Sequence, residues 1–195
     1  MKALLFIVLI AFTFCQEDQP LTGGWKRRSI QENDFDIDRC FKEAGLDYIK
    51  SNDVDQDDLI RLTVYSQVVS GTNYKITFLD TKAEFPSIQE YVYYKPLNTE
   101  RKNENNFQFL EHKEYQADNG LIPLNDPSFE LLENTLYKLL KKTNEELKYV
   151  SYVYPIENKE TDFYLITGYT ANGQHKYVLC QDKATKEFYS FNRIK

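Results

Sequence analysis

Histidine is almost missing from this chain, and several other chemically useful residues are scarce. There are 2 His, 3 Cys, 1 Met and 1 Trp among 195 residues. So small a stock of His and Cys leaves little for a metal centre or a histidine-dependent active site. No Ser/His/Asp or Cys/His arrangement stands out, and no metal-ligand spacing does. We therefore expect no enzyme, no cofactor and no metal. Only 7 Gly and 6 Pro exclude collagen-like and linker-like sequence. Positive charge is also in deficit, with 24 basic against 30 acidic residues and a net charge of −6. Nucleic acid recruits a basic face, so it is not an expected partner. No Asn-x-Ser/Thr triplet occurs, so N-glycosylation is not expected.

Long apolar runs are equally rare. The one example follows Lys2 and extends from Ala3 to Phe14 within MKALLFIVLIAFTFC. It is short for a bilayer span and suits the core of a signal peptide. Residues 1–15 are read as that peptide, with cleavage after Cys15; an uncleaved anchor is the other reading. The remaining chain is expected to leave the membrane and enter the secretory pathway, to be secreted or delivered to a lysosome-like or vacuolar compartment. Two cysteines then remain, Cys40 and Cys180. An oxidising compartment permits a disulfide, and two buried free thiols fit equally well.

What the chain has in quantity is aromatic side chains: 15 Tyr and 13 Phe. These supply a core, so wholesale disorder is excluded. After residue 15 the signals come twice in the same order, an amphipathic helix and then aromatic-rich strands. The first helix is expected over about Asn33–Ser51, with Ile37, Phe41, Ala44 and Tyr48 on one face. Asp34, Asp36 and Asp38 crowd its start, where the helix dipole favours negative charge. The second is expected over Pro127–Thr143, capped by Asp126, with Phe129, Leu132, Leu136 and Leu139 inward.

Strands should follow each helix. In the first half, Leu62, Val64 and Val68 alternate with polar residues, and Tyr74, Ile76 and Phe78 share a face. Ile88–Tyr94 and Phe107–Tyr115 complete that set, separated by a polar loop at Asn98–Asn106. In the second half they are Tyr149–Tyr154, Phe163–Tyr169, His175–Cys180 and Phe188–Phe191. Ala171-Asn172-Gly173 reads as a hairpin turn. Helices ahead of hairpin-linked strands predict an α+β fold. The expected boundaries are 16–116 for the first unit, 117–126 for a linker and 127–195 for the second unit.

Two decoys fail on spacing. Asp53-Val54-Asp55-Gln56-Asp57 has the look of a calcium loop, but Asp58 and Val64 stand where Gly and Glu are required. His175 and Cys180 lie five apart on a strand and so face opposite sides.

The informative segment is Gln67-Val68-Val69-Ser70-Gly71. It resembles the Gln-x-Val-x-Gly hairpin of the cystatins, inhibitors of papain-like cysteine proteases. Upstream, Leu21-Thr22-Gly23-Gly24-Trp25 is similar to that family's glycine-bearing N-terminal arm. A helix separates the two, and a signal peptide precedes them. The resemblance covers about residues 20–116; beyond residue 120 only the helix-then-strands plan is repeated. It implies a cystatin-like fold, one helix wrapped by a curved antiparallel sheet, in two copies. It also implies a partner of the papain-like class, cathepsin L type, blocked reversibly at its cleft.

In that role Gly23, Gly24, Gln67, Val68, Val69, Ser70 and Gly71 would touch the protease. Branched valines lose few rotamers on binding, and glycines without Cβ permit close approach. Two departures stand out. Pro96-Leu97 and a polar loop replace the Pro-Trp hairpin of many cystatins. The second unit's first inter-strand segment, Tyr154–Thr161, has no Gln-x-Val-x-Gly, so that unit is expected to lack inhibitory contacts. The alternative is a non-inhibitory secreted interaction protein on the same scaffold.

Overall fold

In the computed structural model, residues 23–29, 34–82, 87–97, 107–116 and 120–194 are described. The expected signal peptide, Leu21-Thr22, and the loop Asn98–Asn106 lie outside them. Among the described residues the fold is α+β, with two helices and two antiparallel sheets.

Helix α1 spans Phe35–Ser51. It begins one residue after Asp34, whose carboxylate accepts the Asp36 and Ile37 amide hydrogens. That cap satisfies donors a helix start otherwise leaves open. The buried face is Ile37, Cys40, Ala44, Gly45 and Tyr48, with Phe41 at its margin. Helix α2 spans Pro127–Lys142, with Asp126 as N-cap and Pro127 in the first turn. Phe129, Leu132, Leu136 and Leu140 are its buried stripe. Leu140 takes the place expected for Leu139, which is only partly buried. A step of four from Leu136 keeps Leu140 in line with the stripe.

The first sheet contains β1 (Lys26–Arg28), β2 (Leu59–Val69), β3 (Gly71–Asp80), β4 (Ser87–Pro96) and β5 (Gln108–Gln116), in that spatial order. The second contains β6 (Leu147–Glu157), β7 (Thr161–Thr170), β8 (Gly173–Asp182) and β9 (Phe188–Ile194), also in chain order. The turn at 171–172 closes on the pair Thr170 and Gly173, where Gly173 has a φ of +112°. β1 carries three cationic residues and no strand pattern; it is a strand because it pairs with β2.

Three cores set the layer order as helix, sheet, sheet, helix. α1 packs with Val64, Ile76, Phe78 and Tyr91 on one face of the first sheet. The Phe78 ring stacks on Tyr91 at 5.6 Å and meets Tyr48 edge-on at 5.5 Å. α2 packs with Val150, Val153, Ile166 and Tyr177 on the second sheet. Between the sheets lie Leu62, Leu79 and Ile88 against Ile156, Phe163, Val178 and Cys180. Each such aliphatic or Phe side chain contributes roughly 1.5–3 kcal/mol by leaving water.

Leu62 and Val64, expected on one face, therefore lie on opposite faces. The register shift between Arg61 and Thr63 re-aims the chain between them. Cys40 and Cys180 are both free and belong to different cores. Burial raises both thiols, Cys180 to about 12, so each behaves as a small apolar side chain. Among the described residues no helix is long and apolar enough to cross a membrane.

Candidate functional site

The segment Gln67–Gly71 forms the tip of the β2–β3 hairpin. Val69 faces Gly71 across the turn, and Ser70 is the lone residue between the strands. Val68 is 61% exposed. Ser70 is exposed as well, while Gln67 and Val69 are half-buried and Gly71 is buried. Between Tyr65 and Tyr74 the chain has no charged residue, so the tip is uncharged, with Val68 and Val69 as its apolar side chains.

Two side-chain hydrogen bonds fix the tip. The Tyr94 hydroxyl donates to the Ser70 carbonyl oxygen at 2.8 Å. Gln67 accepts from the Asn73 amide at 3.3 Å, across its register pair. Gly71 is required by packing: a Cβ there would run into the Lys95 carbonyl oxygen and the Tyr94 ring. Glycine at this position thus has a reason internal to the fold.

The arm reaches the same end of the sheet. In β1, Lys26, Arg27 and Arg28 pair with Ser66, Tyr65 and Val64. The ladder ends at Lys26 opposite Ser66, the residue before Gln67, and Gly23, Gly24 and Trp25 lead directly into it. A Cβ at Gly23 or Gly24 would meet nothing within 4 Å, so the free fold does not demand glycine there. A third segment ends alongside. Pro96 pairs with Gly71, and Leu97, the next residue, is 75% exposed. Lys95 anchors this strand end to the start of α1 through Asp36, at 2.5 Å. Sequence reasoning left Leu97 unassigned, because its loop lacks a Pro-Trp pair; the strand register is what brings it to the tip.

The matching hairpin of the second unit is arranged differently. Its tip, Asn158–Glu160, turns onto the first sheet. Asn158 and Thr161 are buried, and Glu160 is half-buried. The Asn158 side-chain oxygen accepts from the amides of Glu160 and Thr161 at 2.9 and 2.7 Å. Its amide nitrogen donates to Glu90 of β4 at 3.3 Å. Glu160 binds the Lys75 ammonium of β3 at 2.9 Å. The Thr161 hydroxyl meets the Tyr65 hydroxyl of β2 at 2.9 Å. Burial raises the Glu90 carboxyl, while Lys75 and the Tyr115 hydroxyl pull it back down.

No protein-family model matches this chain, and no curated protein matches it. The His175 ring contacts Arg193, while Cys180 is buried between the sheets; the two are not a pair. Among the described residues, no three His, Cys, Asp or Glu side chains are grouped to hold a metal ion.

Proposed function

We propose that this protein is a reversible, competitive inhibitor of papain-like cysteine proteases, acting after secretion or in a lysosome-like compartment. One observation supports the reading: β1, which directly follows Gly23, Gly24 and Trp25, pairs with β2 just before its exposed, Val68-bearing tip. One helix against one antiparallel sheet is the arrangement that the resemblance to cystatins implies. A hairpin tip of this kind enters a cleft without presenting a peptide bond in a cleavable orientation. Val68 and Val69 supply apolar area with few rotamers to lose. Gly23 and Gly24, unconstrained in the free fold, let the arm approach the enzyme backbone closely. Leu97 supplies an apolar group where a Pro-Trp pair is absent.

In this reading the second unit is a cystatin-like copy without inhibitory contacts. Its corresponding hairpin is occupied by Lys75, Glu90 and Tyr65 of the first sheet.

The test titrates residues 16–195 against a cathepsin L-type enzyme, with Val68→Asp as the comparison. Val68 is exposed, so the substitution leaves the core intact. An unpaired carboxylate forced into the cleft should weaken inhibition by about a hundredfold. Equal inhibition by both proteins removes the hairpin from the mechanism. No inhibition by the parent of several papain-like enzymes, with a stable partner recovered instead, favours a non-inhibitory interaction protein.

A further inference from the structure

A three-residue strand at a sheet edge does not hold itself in place. Yet β1 is the strand that carries the arm. One of its side chains, Arg27, is tied to the second unit. The Arg27 guanidinium contacts the Asp182 carboxylate at the end of β8, 3.4 Å away. It also lies over the Tyr189 ring of β9, 4.0 Å from the centroid. Asp182 is itself fixed by amides of Ala184 and Thr185, each at 2.9 Å. Tyr189 is fixed by the Thr161 hydroxyl, which also meets Tyr65, the register partner of Arg27.

Trp25 is tied one step less directly. Its ring lies 4.6 Å from the Lys75 ammonium, which Glu160 of the second hairpin holds at 2.9 Å. Within the first unit, Arg28 pairs with Asp34 at 3.6 Å. Arg27 thus meets the second unit directly, and Trp25 meets it through Lys75, whose ammonium lies 2.9 Å from Glu160 and 4.0 Å from Glu90 of β4.

We infer that the second unit is a clamp that seats the N-terminal arm beside the β2–β3 tip, with Glu160, Asp182 and Tyr189 as positioning residues. Seating the arm in advance removes an ordering cost that protease binding would otherwise carry. The consequence for affinity rests on the inhibitory reading above; the seating itself does not.

Trp25 is the one tryptophan in the chain, so its fluorescence reports the arm alone. The experiment compares residues 16–195 with the double variant Glu160→Gln/Asp182→Asn, which keeps side-chain volume and the Asp182 turn acceptor. Release of the arm should shift Trp25 emission to the red and raise acrylamide quenching about twofold. Inhibition of a cathepsin L-type enzyme should weaken about threefold, the scale of partly exposed ion pairs. Arg27→Gln cuts the same contact from the arm's side and gives the same readout should the double variant not fold.

Unchanged Trp25 emission and quenching in both variants overturns the clamp. A released Trp25 with undiminished inhibition overturns its part in binding. A parent that inhibits nothing, while Trp25 still responds, removes the inhibitory reading and leaves the clamp standing.

Discussion

The two units put the same hairpin to opposite uses. In the first, Val68 on the β2–β3 tip points away from both cores and is 61% exposed. In the second, the β6–β7 tip is inserted against the first sheet, and Asn158 is 5% exposed. The residues follow from the placement. An outward tip keeps valines and an uncharged loop; an inward tip needs Asn158 to satisfy its own amides and Glu160 to meet Lys75. Buried polar groups are tolerable only when paired, and the second tip has the partners. The difference teaches that hairpins at the same point of a helix-then-strands order can serve opposite ends. Here the second tip is part of the joint between the sheets.

If that contrast is right, breaking the second tip should cost stability. Asn158→Ala removes the acceptor for two amides and leaves Glu90 without one donor. The Thr161 amide is buried, so water cannot replace the lost bond. We expect a loss of about 2–3 kcal/mol in denaturant unfolding of the full chain. A change below about 0.5 kcal/mol would mean that this tip is no better anchored than the first.

A second, smaller effect sharpens the comparison through pH. Glu90 faces Asn158, Lys75, Tyr115 and Glu160 where the second tip meets the first sheet. Burial is the main cause of its raised carboxyl. A carboxyl raised in the folded state contributes full stability below its ordinary value and loses it as pH rises through the folded value. Ionised Glu90 is therefore a cost at neutral pH. The stability of Glu90→Gln relative to the parent should be highest near neutral pH and fall as the medium is acidified towards the ordinary carboxylate range. Asp58, Asp126 and Asp182 are lowered and act in the opposite sense below that range. They are common to both proteins, so they cancel in the difference. A difference that does not vary with pH would show that the joint does not sense Glu90.

Much of each unit was legible, and the joint between them was not. Both helices could be read because their apolar stripes recur every three or four residues and an Asp caps each start. The hairpins at 67–71 and 171–173 were legible from their glycines, and Tyr74, Ile76 and Phe78 do share the helix-facing side. β1 was not legible, since Lys26-Arg27-Arg28 has no apolar alternation and gains its strand form from β2. Nor was the face-to-face packing of the sheets. Leu62 and Leu79 belong to a face that the helix does not cover, and a register shift hides Leu62 among the helix-facing residues. Lys75 and Glu160 stand 85 residues apart, so no local pattern announces their contact. For the site, Gln67–Gly71 could be singled out in sequence, but the position of the arm next to it depends on β1.

The smallest expected effect tests the first tip directly. Val68 is among the most exposed large apolar residues described, and its neighbours do not close over it. The hairpin is held by other groups: the Tyr94 hydroxyl on Ser70, the Gln67–Asn73 bond and the glycine at 71. Val68→Ala removes none of these, and it empties no cavity. Its effect on folding stability should stay within about 0.5 kcal/mol, as for other surface positions. On the proposed inhibitory reading, the same substitution should weaken inhibition, because alanine offers less apolar area for a cleft to bury. If Val68→Ala destabilises the fold by as much as Asn158→Ala, the valine is structural and the contrast between the two tips disappears.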